Sequence, residues 1–203
     1  MQVHAVDTPH GSANVHLHAA DEPRAALVLG HGAGGGVTSR DLVTATKAAL
    51  AEAISVALVE QPYRVAGRRS PAPAAQLDAA WTTVIAHLLA GELHGLPIIT
   101  GGRSSGARVA CRTAAATGAA GVLCLAFPLR PPRRKGAGEA PSRQPELDAV
   151  AVPTLVIQGA RDPFGMPAPG PNRTVVQVAG DHSLRTDLQA VAAAIREWLP
   201  RVV

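Results

Sequence analysis

Aromatic residues are nearly absent: Trp, Tyr and Phe together make up 2% of the 203 residues. The core must therefore be built mainly from Ala, Val, Leu and Ile. Long apolar runs are missing as well. None approaches the roughly 20 residues needed to span a bilayer, and Met1 to Thr8, which contains His4 and Asp7, has no apolar stretch of the kind a secretory leader needs. The two cysteines, Cys111 and Cys124, fall inside an expected helix and an expected strand and read as buried reduced thiols. A cytoplasmic location without membrane attachment is the resulting expectation. Charged residues are sparse too, 17% against 47% hydrophobic, which excludes a disordered chain. No Cys, His and carboxylate set has metal-ligand spacing, so no metal and no other cofactor is expected.

What is present is an alternation of short apolar runs with helical patterns. Val3 to Val6 and Asn14 to His18 alternate as strands, with His10-Gly11-Ser12 as the turn of a hairpin. Strands are expected over Ala25 to Gly30, Ser55 to Val59, Leu96 to Thr100, Gly121 to Ala126, Thr154 to Gln158 and Thr174 to Val178. Helices are expected over Ser39 to Ala53 with Ser39 as N-cap, Ala74 to Leu89, Ala107 to Thr117 and Leu184 to Leu199. Gln61 to Pro73 and Phe127 to Pro145 read as loops rich in Pro, Gly and Arg. Continuous apolar strands alternating with helices predict one α/β domain over residues 1–203, a mostly parallel twisted sheet covered on both faces. Ligands of such sheets bind beyond the carboxyl ends of the strands, so the polar segments that follow strands carry the functional reading.

There are four such segments. Gly102-Arg103-Ser104-Ser105-Gly106 is a serine between glycines at a strand-to-helix junction, the G-x-S-x-G pattern of a nucleophile elbow. The turn is so sharp that residues two before and two after the serine must be small. His31-Gly32-Ala33-Gly34-Gly35-Gly36, Gly159-Ala160-Arg161-Asp162-Pro163 and Gly180-Asp181-His182 follow three other strands. A serine hydroxyl needs a base to become a nucleophile. His182 can take its proton near neutral pH, and Asp162 can hold the imidazole in the required tautomer. Asp181 adjoins His182 too closely to back the ring. A developing oxyanion needs fixed donors; Ser105 N–H at the helix head is one, and Ala33 N–H the expected second. His31 reads as a side chain that orders this loop. The glycine run lacks the lysine and hydroxyl of a phosphate-binding loop, so nucleotide binding is not expected.

At these residues the chain resembles the α/β-hydrolase superfamily, in particular its small, lidless, dienelactone-hydrolase-like branch. The phrases that carry the resemblance are Leu29 to Gly35, Gly102 to Arg108, Gln158 to Gly165 and Gly180 to Leu184. They are similar to those of bacterial proteins known simply as predicted α/β-hydrolases, whose distant nuclear relatives are subunits of a chromatin-modifying complex. The resemblance implies a hydrolase fold without a cap domain and a Ser-His-Asp serine hydrolase acting on an ester, thioester or related acyl bond. It also makes two alternatives conceivable, an acyltransferase and a non-catalytic interaction domain that keeps the fold.

Formal net charge is +4. Arg64, Arg68 and Arg69 follow one strand, and Arg130, Arg133, Arg134 and Lys135 follow another. Both loops should emerge on the carboxyl edge, beside Ser104. They suggest a basic rim that favours a small anionic acyl substrate. No nucleic-acid partner is expected, and oligomeric state is not legible.

Overall fold

β1 (Gln2–Thr8) and β2 (Gly11–His18) form the antiparallel hairpin at one margin of a single sheet. The computed structural model describes residues 1–131 and 140–203, so Arg133, Arg134 and Lys135 lie outside the described residues. The chain continues through β3 (Ala25–Gly30), α1 (Arg40–Leu50), β4 (Ile54–Glu60), α2 (Pro62–Val65), α3 (Ala74–Ala90), β5 (Ile98–Arg103), α4 (Ser105–Thr117), β6 (Gly121–Leu125), α5 (Gln144–Asp148), β7 (Thr154–Gly159), β8 (Arg173–Val178) and α6 (Leu188–Trp198). The strands lie in the order β1-β2-β4-β3-β5-β6-β7-β8. From β4 to β8 every neighbouring pair is parallel. This is an α/β-hydrolase fold, and no cap domain covers the sheet among the described residues.

The central strands are buried on both faces, and their side chains alternate between two cores. In β3, Ala25, Leu27 and Leu29 join the cluster under α1 and α6, whereas Ala26 and Val28 join the cluster under α3. β4 repeats this with Ile54, Val56 and Leu58 against Ala57 and Val59. In β6 and β7, Val122, Cys124 and Val156 point instead toward α4 and α5. Such strands read as unbroken apolar runs because each residue is covered by one helical layer or the other. Each buried Leu or Ile contributes roughly 1.5–3 kcal/mol. Cys111 and Cys124 are buried and free, with sulfurs 3.5 Å apart. The Cys111 hydrogen bond, with burial, pushes the Cys124 thiol well above its usual range.

Elements depart from the sequence reading in several places: the expected Gln61 to Pro73 loop contains α2, β5 runs over Ile98–Arg103, and α4 starts at Ser105. Gly11 is the first residue of β2, not part of the turn, and pairs with Thr8; its φ of 107° lets the chain reverse across Pro9 and His10. Ser39 precedes α1, but its hydroxyl makes no capping bond. The last helix begins at Leu188, not Leu184. Asp187 caps it by accepting from Ala190 N, while Leu184 lies in the preceding loop with φ 49° and no solvent exposure. An apolar residue in a loop imitated the first turn of an amphipathic helix.

Candidate active site

The junction of β5 and α4 is tightly packed. Ser104 stands between them at φ 52° and ψ −106°, and its N–H donates to Leu125 O of β6 at 2.9 Å. A non-glycine residue at such angles costs on the order of 1–3 kcal/mol and persists only where its surroundings impose it. Those surroundings are glycine. A Cβ on Gly102 would lie 2.5 Å from Gly30 O and 2.8 Å from Gly106 C; one on Gly106 would lie 2.5 Å from Gly30 C. Strands β3 and β5 and the head of α4 therefore meet backbone to backbone, and the turn lifts Ser104 above the sheet.

Three residues from three loops meet there in one hydrogen-bonded line. His182 Nε2 is 3.0 Å from Ser104 Oγ, and His182 Nδ1 is 2.8 Å from Asp162 Oδ2. The Asp162 side chain has no solvent exposure. As an acceptor it requires the proton on Nδ1, which leaves Nε2 to accept from the serine hydroxyl. Asp162 is satisfied further by Phe164 N at 2.9 Å and by Gln158 Nε2 at 2.8 Å. Gln158 Nε2 also lies within hydrogen-bond distance of Phe127 O and Gly165 O, so its two N–H groups tie the segment after β6, β7 and the Asp162 loop together. The Phe164 ring lies 4.3 Å from the His182 ring between centroids, tilted 43°. Ala160 N donates to Val178 O and Arg161 N to Gly180 O, both at 2.8 Å, which joins the Asp162 loop to the His182 loop. Asp181 is exposed and turned to its own neighbour, accepting from Ser183 N and Oγ; those bonds hold its carboxyl below the usual range.

Ser105 opens α4, where the first N–H groups of a helix have no partner within it. Ala33 belongs to the loop after β3, next to Gly32, where an added Cβ would lie 3.6 Å from Ser104 Cβ; the Ala33 carbonyl accepts from the Tyr63 hydroxyl at 2.9 Å. His31 braces this loop. It is buried, its Nε2 accepts from Gln61 N at 3.0 Å, and its Nδ1 donates to Gly32 O at 2.8 Å. Burial pushes its pKa down from the ordinary value of 6.5.

Arg103, immediately before the serine, was only a variable letter of the motif in the sequence. Its Nε lies 3.0 Å from Asp41 Oδ2 of α1, a carboxylate 1% exposed, and its Nη2 donates to His182 O at 3.2 Å. A Cβ on Gly32 would sit 2.7 Å from Arg103 Nη1 and 3.6 Å from Ser104 Cβ. One guanidinium thus links the α1 head, the His31 loop and the His182 loop. Gln158, Tyr63 and Phe164 were missed in the same way. Gln158 alone carried a signal, a polar residue ending an apolar strand.

The arginines divide. Arg130 is exposed, and its N–H donates to Phe164 O at 2.9 Å, one residue removed from the His182 ring. Arg64 is half-buried and donates to Arg68 O. Arg68 lines a separate cavity of about 200 Å³ with His10, Gln61, Tyr63 and Gln76, and none of Ser104, Asp162 and His182 lines it. Arg69 is exposed in the same loop.

A parallel sheet of this order, with a strained serine lifted at the end of β5, defines the class of α/β hydrolases. Residues 23–194 match the family model described as alpha/beta hydrolase domain, and the chain belongs to that family. Three similar solved structures share the fold. An α/β serine hydrolase homologue from Coxiella burnetii has 15% identity and a TM-score of 0.77, with 98% of this chain and 97% of that one covered. A serine hydrolase without a lid from Xanthomonas campestris has 19% identity and a TM-score of 0.74, covering 98% and 94%. A dienelactone hydrolase from Anabaena variabilis has 17% identity and a TM-score of 0.74, covering 100% and 98%. No curated protein matches the sequence. The resemblance to chromatin-complex subunits finds no support in these relatives. No helix among the described residues is long and apolar enough to cross a membrane.

Proposed function

We propose that the chain is a serine hydrolase that cleaves an ester, thioester or related acyl bond through an acyl-enzyme, with Ser104 as nucleophile, His182 as base and Asp162 as its orienting carboxylate. The observation that carries the reading is the continuous hydrogen-bonded line of 3.0 Å and 2.8 Å ending on a serine of positive φ. In the first step Ser104 Oγ attacks the acyl carbon while its proton passes to His182 Nε2. The resulting imidazolium is stabilised by the Asp162 carboxylate. Negative charge on the former carbonyl oxygen is met by the N–H groups of Ser105 and Ala33, aided by the positive end of α4. Collapse expels the alcohol or thiol, which takes its proton from His182. Water then repeats the sequence on the acyl-enzyme and regenerates Ser104.

A fluorophosphonate probe provides the test. Wild type becomes labelled at Ser104, and Ser104→Ala, a change that removes the nucleophile and little else, does not. Equal labelling of both proteins overturns the assignment.

The substrate side is also a proposal. The lack of a cap among the described residues supports an open site for a small acyl compound, and exposed Arg130, whose backbone is bonded to Phe164 beside His182, supports preference for an anionic one.

A further inference from the structure

Three side chains far apart in sequence converge at the edge of the sheet opposite Ser104. His4 belongs to β1, His87 to the last turn of α3, and Glu92 to the turn that follows. Helix α3 runs back against the parallel strands: Leu77 near its start accepts from Gln61 Nε2, just beyond the carboxyl end of β4, and its far end leads into the start of β5. The cluster is therefore separate from the candidate active site.

Each residue offers one donor atom, and the three atoms all lie within 4.8 Å of one another. His4 Nε2 is 3.4 Å from Glu92 Oε1. That nitrogen is shielded from solvent and makes no hydrogen bond. The His4 and His87 rings stand 6.1 Å apart between centroids and are tilted by 45°. A tetrahedral zinc ion, at about 2.0–2.1 Å from its nitrogen and oxygen ligands, draws donors to roughly 3.3 Å from one another. His87 and Glu92 are exposed and free to make the small adjustment this requires.

We propose that His4, His87 and Glu92 form a binding site for a divalent transition-metal ion, zinc above all. Two imidazoles with one carboxylate suit zinc and disfavour magnesium and calcium, which seek oxygen ligands. Three protein ligands leave a fourth position for water. The spacing of 4, 87 and 92 conceals the site from a sequence reading, because pairing of β1 with β2 and packing of α3 against β1 create it. The bound ion fastens the outermost strand, whose outer edge pairs with no strand among the described residues, to the helix beneath it.

The test is titration of the full chain with zinc chloride after treatment with a chelator, followed by calorimetry and by thermal unfolding. Wild type takes up one equivalent and melts at a higher temperature with zinc than without, whereas magnesium chloride does neither. His87→Ala changes an exposed helical position, so the protein folds; it loses at least tenfold in zinc affinity while its melting temperature without zinc is unchanged. Glu92→Gln, also exposed, weakens binding in the same direction. Absence of saturable zinc uptake by wild type overturns the proposal, and so does equal uptake by His87→Ala, which would place the ion on other histidines. Neither readout depends on hydrolysis.

Discussion

His31 has both ring nitrogens committed, one as donor to Gly32 O and one as acceptor from Gln61 N. That pattern is available only to the neutral ring, and burial is the main reason its folded pKa lies below 6.5. The unfolded chain therefore binds a proton that the folded chain refuses. The stability due to neutral His31 is complete above about pH 6.5 and is lost as pH falls through the folded pKa. Across that window the slope is at most about 1.4 kcal/mol per pH unit, the limit for one full proton. Replacing His31 by Gln keeps a donor and an acceptor but removes the titration. Urea unfolding at about pH 7.5 and about pH 5.5 should show wild type losing more stability on acidification than His31→Gln. Equal losses would mean that His31 is not the group responsible. Ser104, Asp162 and His182 were legible one at a time because each follows an apolar strand and a glycine. Arg103 was not. Its value comes from Asp41 and the His182 carbonyl, and nothing in the string of residues joins positions 41, 103 and 182.

The elbow shows why an element can obey rules opposite to those of its type. Ala is favoured over Gly by about 1 kcal/mol inside a helix, so Gly106→Ala in α4 would ordinarily stabilise the protein. Here the new methyl group would lie 2.5 Å from Gly30 C and 2.9 Å from His31 O, both backbone atoms that cannot rotate aside. The sign reverses, and a loss of about 3 kcal/mol is expected, at the upper end for overpacking. Gly34→Ala is the matched control, because a Cβ there meets nothing within 4 Å; its effect should stay within about 0.5 kcal/mol. Denaturant titration of the two variants checks the contrast. The same packing explains what was legible among the elements. β3, β4 and β7 declared themselves as unbroken apolar runs because helices cover both their faces. The start of α6 did not, since Leu184 is buried by its loop and not by a helix.

At the scale of the molecule, parallel strands bring the segments after β3, β5, β7 and β8 to one edge, so four sequence-distant motifs become one candidate site. The strand order that does this was not readable, because it depends on which strands exchange backbone hydrogen bonds. That edge also determines what the basic loops can do. Exposed Arg130 is bonded through its backbone to Phe164 beside His182, while Arg68 faces a different cavity. If charge at this edge selects substrate, esters with the same leaving group but an anionic acyl part should react with a kcat/KM up to about tenfold above neutral ones. The advantage should shrink with added salt, as the screening length falls from about 10 Å at 0.1 M to about 3 Å at 1 M. Arg130→Gln should remove most of it and leave the neutral esters unaffected; Arg68→Gln should change neither series. Steady-state hydrolysis of the paired esters across a salt series decides the matter. Equal kcat/KM for the two series at low salt would show that the arginines serve as solvated loop residues and that selection lies in the shape of the open site.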